Sequence, residues 1–349
     1  MKDMNRLLIP GVVLLAGALH GCGGGGDDDD SSIPSVPTSP ASITSANYVS
    51  IAGDAYAAIG EFIQLGRLST LGVASASGRE AAPREGLLEL TLDIAKRRLG
   101  DSSGDAVYPA TVYSDNLDCV SGSGTVSWND ADESGTLSAG DTWRETYSSC
   151  QISADGTILN GTLTLTVNSV AGDPSTRAAD WSFNVDADYA SLRISEGSES
   201  MTFDGGYTIA ATYVLATNTE TQNVTGRTLT TTWTDSEGTG IARLTNFSLA
   251  FSLNLGMSTY SADADYTLAS SELGGVIAVV TNPAFGGAMD GSGNMGNPTS
   301  GTMVMIGANS AKARIEAQSD GVSAMVSLDA DGDGTYETGQ SVPWTTLSP

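Results

Sequence analysis

From about Val107 onward the chain has the chemistry of strands, and apolar and polar residues often alternate with a period of two. That is the spacing of a strand with one dry and one wet face. Trp181, Phe183, Val185 and Tyr189 fall on one side, and Ser182, Asn184, Asp186 and Asp188 on the other. Phe247, Leu249, Phe251, Leu253 and Leu255 alternate in the same way with Asn246, Ser248, Ala250, Ser252 and Asn254; Leu163, Leu165 and Val167 alternate with threonines. Threonine, serine, valine and tyrosine dominate, turn residues recur, and helix signals are absent. Residues 105–349 are therefore expected to form a mainly β, antiparallel domain. About ten to twelve strands fit the length. A sheet of that size must curl around its dry face or fold onto a second sheet, which predicts a curled sheet or a sandwich. A transmembrane barrel is not expected, because its apolar outer band would recur on every strand between aromatic girdles.

Two short helices are predicted ahead of the strands, within residues 44–104. In the first, Ser45 to Leu65, the residues Tyr48, Ile51, Ala52, Ala55, Ile59, Phe62 and Ile63 recur at three and four, and Gly66 stops the run. The second runs from Pro83 to Gly100, with Leu87, Leu88, Ile94, Ala95 and Leu99 as its stripe. Lys96, Arg97 and Arg98 sit in its last turn, where the helix dipole favours cations. The stretch Val185-Asp186-Ala187-Asp188-Tyr189 is echoed by Ala262-Asp263-Ala264-Asp265-Tyr266, which reads as a duplicated hairpin unit. Pro283 to Gly301 is a long loop rich in glycine, asparagine and methionine, with the length of a lid.

The first residues follow a different pattern. Lys2 and Arg6 make a cationic start, and Leu7 to Leu19 is apolar but too short to span a bilayer. The segment ends in Leu19-His20-Gly21-Cys22, which resembles the lipobox of bacterial lipoproteins; His20 departs from the small or hydroxyl residue usual at its place. The resemblance implies that residues 1–21 are a signal peptide and that Cys22 becomes an acylated N-terminus carrying chains such as palmitate. Several acyl chains hold far more firmly than one, since each buried methylene adds about 0.8 kcal/mol. Gly23 stands where the inner-membrane retention signal of that family would put Asp, so the resemblance implies an outer-membrane anchor. Residues 22–43 then read as a tether: glycines, Asp27 to Asp30, serines, and Pro34, Pro37 and Pro40.

The formal net charge is −26, and removing Lys2, Arg6 and Asp3 with the signal makes it one unit more negative. Such a charge repels nucleic acid and anionic membrane and attracts divalent cations. Partners are therefore expected to be the membrane, through the lipid alone, and a protein, glycan or apolar ligand that the sequence does not specify. With Cys22 used, Cys119 and Cys150 remain, and in an exported chain they are expected to pair.

One stretch between those cysteines carries metal chemistry. Asp130-Ala131-Asp132-Glu133-Ser134-Gly135-Thr136-Leu137-Ser138-Ala139-Gly140-Asp141 resembles an EF-hand or dockerin-type calcium loop. The resemblance implies oxygen ligands at Asp130, Asp132, Ser134, Ser138 and Asp141, a backbone carbonyl from Thr136, and a sharp turn at Gly135. Asp141 replaces the usual bidentate glutamate, and the flanks Gly124–Trp128 and Thr142–Tyr147 are strand-like where the family has helices. If those flanks pair, the loop is a hairpin tip. A weaker candidate is Asp329, Asp331, Asp333 and Glu337, where Asp333-Gly334 also spells a tight turn.

Catalytic readings fare worse. The only histidine, His20, leaves with the signal, which removes histidine-dependent hydrolysis and most zinc and copper sites. Gly100-Asp101-Ser102-Ser103-Gly104 spells a nucleophile elbow but follows a helix instead of preceding one, and Gly291-Ser292-Gly293-Asn294-Met295-Gly296 spells a dinucleotide loop without its βα context. The pairs Asp186/Asp188 and Asp263/Asp265 have a spacing compatible with glycoside chemistry, but they lie on the wet face, where burial raises no acid's pKa. The expectation is a lipid-anchored, non-enzymatic envelope protein whose β-domain is stabilised by calcium. A carrier that holds an apolar ligand against a curled sheet is the alternative, and a carboxylate-dependent glycan hydrolase is third.

Overall fold

The computed structural model describes residues 34–63, 112–134, 138–151, 156–174, 176–236, 238–290 and 295–347. The predicted helix Pro83–Gly100, the lipobox and Cys22 lie outside the described residues. The strands are β1 (Val112–Leu117), β2 (Ser121–Asn129), β3 (Thr142–Gln151), β4 (Ile158–Ala171), β5 (Trp181–Glu196), β6 (Glu199–Val214), β7 (Thr219–Thr234), β8 (Thr239–Asn254), β9 (Thr259–Ser270), β10 (Gly275–Thr281), β11 (Phe285–Ala288), β12 (Thr302–Ile306), β13 (Lys312–Ala317), β14 (Ser323–Asp329) and β15 (Thr338–Pro343). Helix α1 is Tyr48–Ile63 and helix α2 is Trp344–Leu347.

All 15 strands of the described residues join one sheet, where about ten to twelve were expected. Hydrogen bonding follows chain order, except that β11 pairs with β9 beside the main path. The excess arises after β9, where the chain is cut into strands of 4 to 7 residues. The two-sheet sandwich is thereby replaced by a single sheet. The helices also differ from expectation, because α2 follows the sheet and only α1, among the described α-helices, precedes it.

The chain divides into two units. Among the described residues, the first takes those within 112–216 and 229–238; the second takes those within 34–63, 217–228 and 239–347. In the first unit, the alternating residues form rows across the strands. Trp128, Trp143, Leu165, Ala187 and Tyr207 are register partners in turn from β2 to β6. Leu163, Phe183, Val185 and Ile209 are buried on the same face. These strands carry repeated bulges. Ser149 on β3 and Ser191 on β5 each add a residue with φ near +48°, and the register shifts on both sides of each. The freed amides are taken up by side chains: Ser149 N–H donates to Asn160 Oδ1 and Ser191 N–H to Asp204 Oδ1, each at 2.8 Å. Gly161 lies against Ser191 with φ +96°, and a Cβ there would run into the Ser191 carbonyl. Extra residues of this kind bend a strand and tighten its twist.

In the second unit, α1 packs against β9, β12, β13, β14 and α2. Its buried face is Tyr48, Ile51, Ala52, Ala55 and Tyr56, the three-and-four spacing read from the sequence. Asn47 and Thr44 start the helix, with Thr44 N–H donating to Asn47 Oδ1 at 2.7 Å and Ala46 N–H to Thr44 Oγ1 at 3.3 Å. Tyr56 lies between Phe285 and Trp344, with ring centroids 5.9 and 4.9 Å away. Tyr266 Oη donates to the Ala55 carbonyl at 2.6 Å, which ties β9 to the helix. Docking has a cost at Asp54, whose carboxyl burial pushes up to about 6.

The stretch Pro283–Gly301 is folded back on the sheet. Its β11 pairs with β9, Met289 bridges to Met295, and Tyr260 Oη donates to the Gly296 carbonyl at 2.8 Å. Met289 and Met295 cover Phe251, Leu253 and Tyr260. Residues 291–294 lie outside the described residues.

Candidate metal centre

Strands β2 and β3 pair antiparallel, with Asn129 opposite Thr142 at one end and Ser121 opposite Gln151 at the other. The acidic segment is therefore the tip of a hairpin. At the far end Cys119 and Cys150 form a disulfide, with a Cα–Cα distance of 5.2 Å. Cys150 follows the bulge residue Ser149 and is buried.

Asp130 and Asp141, the first and last residues of the tip, are buried, while Asp132 is exposed. One carboxylate oxygen from each of the three lies within 4.8 Å of the others. Asp141 is fixed from several sides: its Oδ1 accepts Ala131 N–H and its Oδ2 accepts Ser138 N–H, both at 2.8 Å. Its backbone is zipped to β4, since Val167 N–H donates to the Asp141 carbonyl at 2.9 Å and Gly140 N–H to the Val167 carbonyl at 2.7 Å. Ser134 N–H is shared between Asp130 Oδ1 and Asp132 Oδ1, both at 3.1 Å. Glu133 turns the chain with φ 55°. The Ser138 hydroxyl is buried and makes no hydrogen bond of full geometry. Gly135, Thr136 and Leu137 lie outside the described residues, so the expected backbone ligand at Thr136 does too.

The electrostatics of this tip are unbalanced. Burial pushes the Asp141 carboxyl above its ordinary value, and the charges of Asp130 and Asp132 add to the rise against two backbone amides. Hydrogen bonding from Ser134 and Ser138 holds Asp132 below its ordinary value.

The second acidic segment joins β14 to β15. Asp329, at the end of β14, is fully buried. Its Oδ1 accepts Gly332 N–H at 2.8 Å; its Oδ2 accepts Gly334 N–H at 3.0 Å and the Lys312 ammonium at 3.1 Å. Lys312 is its register partner on β13. Asp333 N–H donates to Asp331 Oδ1, Thr335 N–H to Asp333 Oδ1, and Ala330 N–H to Glu337 Oε2. Oxygens of Asp329, Asp331, Asp333 and Glu337 also converge within 4.8 Å. Arg314 lies 4.0 Å over the Tyr336 ring. Burial pushes Asp329 upward, but Lys312 and the amides of Gly334 and Gly332 prevail and hold it below its ordinary value.

The paired aspartates lie where alternation placed them. Asp188, Asp263 and Asp265 are exposed and Asp186 is half-buried. Thr208 Oγ1 donates to Asp186 Oδ1 at 2.6 Å. Against the expectation that burial raises no acid on the wet face, partial burial and then the neighbouring aspartate raise Asp188 and Asp263. Among the buried carboxylates that sequence reasoning missed is Glu145 on the dry side of β3. It is buried, accepts the Trp143 indole N–H at 2.9 Å, and is bonded by the Tyr147 hydroxyl. Burial, then the charge of Glu145, raises the Tyr147 hydroxyl well above its ordinary value. The signal was present: Trp143, Glu145 and Tyr147 share one parity, so a glutamate stands in an aromatic row.

Compared with known proteins, the chain matches no family model, no curated protein and no solved structure.

Proposed function

We propose that this is a lipid-anchored envelope protein with a binding or structural role, not a catalytic one, and that calcium locks its β2–β3 hairpin. The carrying observation is the convergence of Asp130, Asp132 and Asp141 at a hairpin tip whose base is a disulfide. Two of these carboxylates are buried, and their mutual repulsion is a cost that a divalent cation relieves. Calcium suits the site better than magnesium, since oxygen ligands on a turn accommodate its looser coordination. The anchor rests on the lipobox resemblance at Leu19–Cys22. The packed dry face favours a module over a carrier: Leu163, Phe183, Ile209, Leu253 and Ile277 are all buried to 2 % exposure or less.

Two experiments test the parts separately. Cys22→Ser should move the protein from the membrane to the soluble fraction; retention of the variant would mean that the body of the protein binds the membrane itself. Millimolar calcium should raise the melting temperature of the chelated protein. At a hundredfold excess over the dissociation constant the gain is roughly 2.7 kcal/mol. Asp130→Ala combined with Asp141→Ala should abolish most of it. A melting curve indifferent to calcium would leave the tip as an acidic turn.

A further inference from the structure

Composition assigns residues 22–43 to the tether, yet its last residues are built into the second unit. Ala41 and Ile43 are buried while Ser42 and Thr44 are exposed, the alternation of a strand. Pro40 bridges parallel to Val276 on β10. Ala41 N–H donates to the Val276 carbonyl and Val276 N–H to the Ser39 carbonyl, both at 2.9 Å; Ala308 N–H donates to the Ala41 carbonyl at 2.7 Å.

The position beside β10 is one that β12 leaves open. Ala278 pairs with Ile306, so a continued β12 would bring residue 308 opposite Val276. The chain instead turns away at Gly307, and Ser39–Ile43 enters the gap. Two glycines make room for it. A Cβ at Gly275 would stand 2.6 Å from Ala41 N and Cα, and one at Gly307 would run into the Ala41 carbonyl. Asn47 secures the far end, its Nδ2 donating to the Ser42 carbonyl at 2.9 Å.

We propose that Ser39–Ile43 is a detachable strap that fixes where the tether leaves the domain. Three backbone hydrogen bonds, one bond from the Asn47 side chain and the buried side chains of Ala41 and Ile43 hold it, much less than holds any central strand. Opening costs only this local set, in the way that peripheral segments open without global unfolding. Release frees a five-residue segment, about 17 Å at full extension. The strap works in this way whatever holds Cys22.

Hydrogen exchange on the full chain tests it. In the wild type, the amides of Ala41, Val276 and Ala308 should exchange together and at least about tenfold faster than those of Ile315 and Val326 in the neighbouring strands. Two variants of unrelated chemistry, Gly307→Val by clash and Ala41→Pro by loss of the donor, should each strip protection from the three amides while leaving Ile315 and Val326 protected. Wild-type protection at the strap equal to that of Val326 would overturn the proposal. So would collapse of protection throughout the second unit in both variants, which would make the strap an inseparable part of the core.

Discussion

The two acidic turns share a spelling, aspartates at alternate positions before a glycine, yet they meet opposite electrostatic fates. At the β14–β15 turn, Asp329 faces Lys312 across the ladder and is held below its ordinary pKa. At the β2–β3 tip, Asp141 meets other aspartates and is pushed above it. The first carboxylate is balanced by an ammonium, whereas burial and neighbouring aspartates dominate at the second. A bound divalent ion would supply at the β2–β3 tip what an ammonium supplies at the β14–β15 turn. The comparison teaches that a D-x-D turn is read from the strand beside it as much as from its own letters.

The largest expected effect concerns the base of the first hairpin, since only that turn is stapled. The disulfide spans 31 residues, and in the chain-entropy model a loop of that size contributes roughly 3–4 kcal/mol. Reduction should lower the melting temperature by several degrees and weaken calcium binding, because a frayed hairpin no longer presents Asp130 to Asp141. Mass spectrometry of exported material should find no free thiol at Cys119 or Cys150. Unchanged stability on reduction would show that the tip is held without its staple.

Next comes the ammonium. Lys312→Met leaves Asp329 without its cation, so in chelator the variant should melt lower than wild type. Added calcium should then restore stability in the variant by more than it raises the wild type, since the β14–β15 turn now has a vacancy of its own. An equal calcium response in both proteins would break the comparison.

The smallest effect is a difference in slope with pH, measured in chelator. Asp329 has a folded pKa below its ordinary 3.8, so its contribution is present above that value and is lost as pH falls through the lower folded value. Asp141 has a folded pKa above 3.8, so its penalty is absent below that value and grows as pH rises through the raised one. Across this acid range, Asp329→Asn should lose stability less steeply on acidification than wild type, and Asp141→Asn more steeply. Parallel curves for the two variants would contradict the assigned charge balance.

Much of this was legible because it is periodic or local. The dry and wet faces of β5 and β8, helix α1 and the hairpin around Asp130–Asp141 follow from spacing, and the cysteine pair from there being two left in a chain read as exported. What failed to show was non-local or locally ambiguous. Asn160-Gly161 and Asp204-Gly205 spell tight turns, yet both lie inside strands, where they receive the bulges at Ser149 and Ser191. The strand number exceeds the expectation because the chain after β9 is cut into short strands, one of them, β11, inside a glycine-rich loop. Lys312 lies 17 residues from Asp329, and only the β13–β14 register brings them together. The strap was read as tether because proline and serine surround the two side chains that it buries.

Calorimetric titration of the chelated protein with calcium tests the central claim most directly. The account predicts binding at one site, lost in the double variant Asp130→Ala, Asp141→Ala and kept in Asp331→Ala, Asp333→Ala. Binding that survives the first pair and vanishes with the second, or no binding at all, would contradict it.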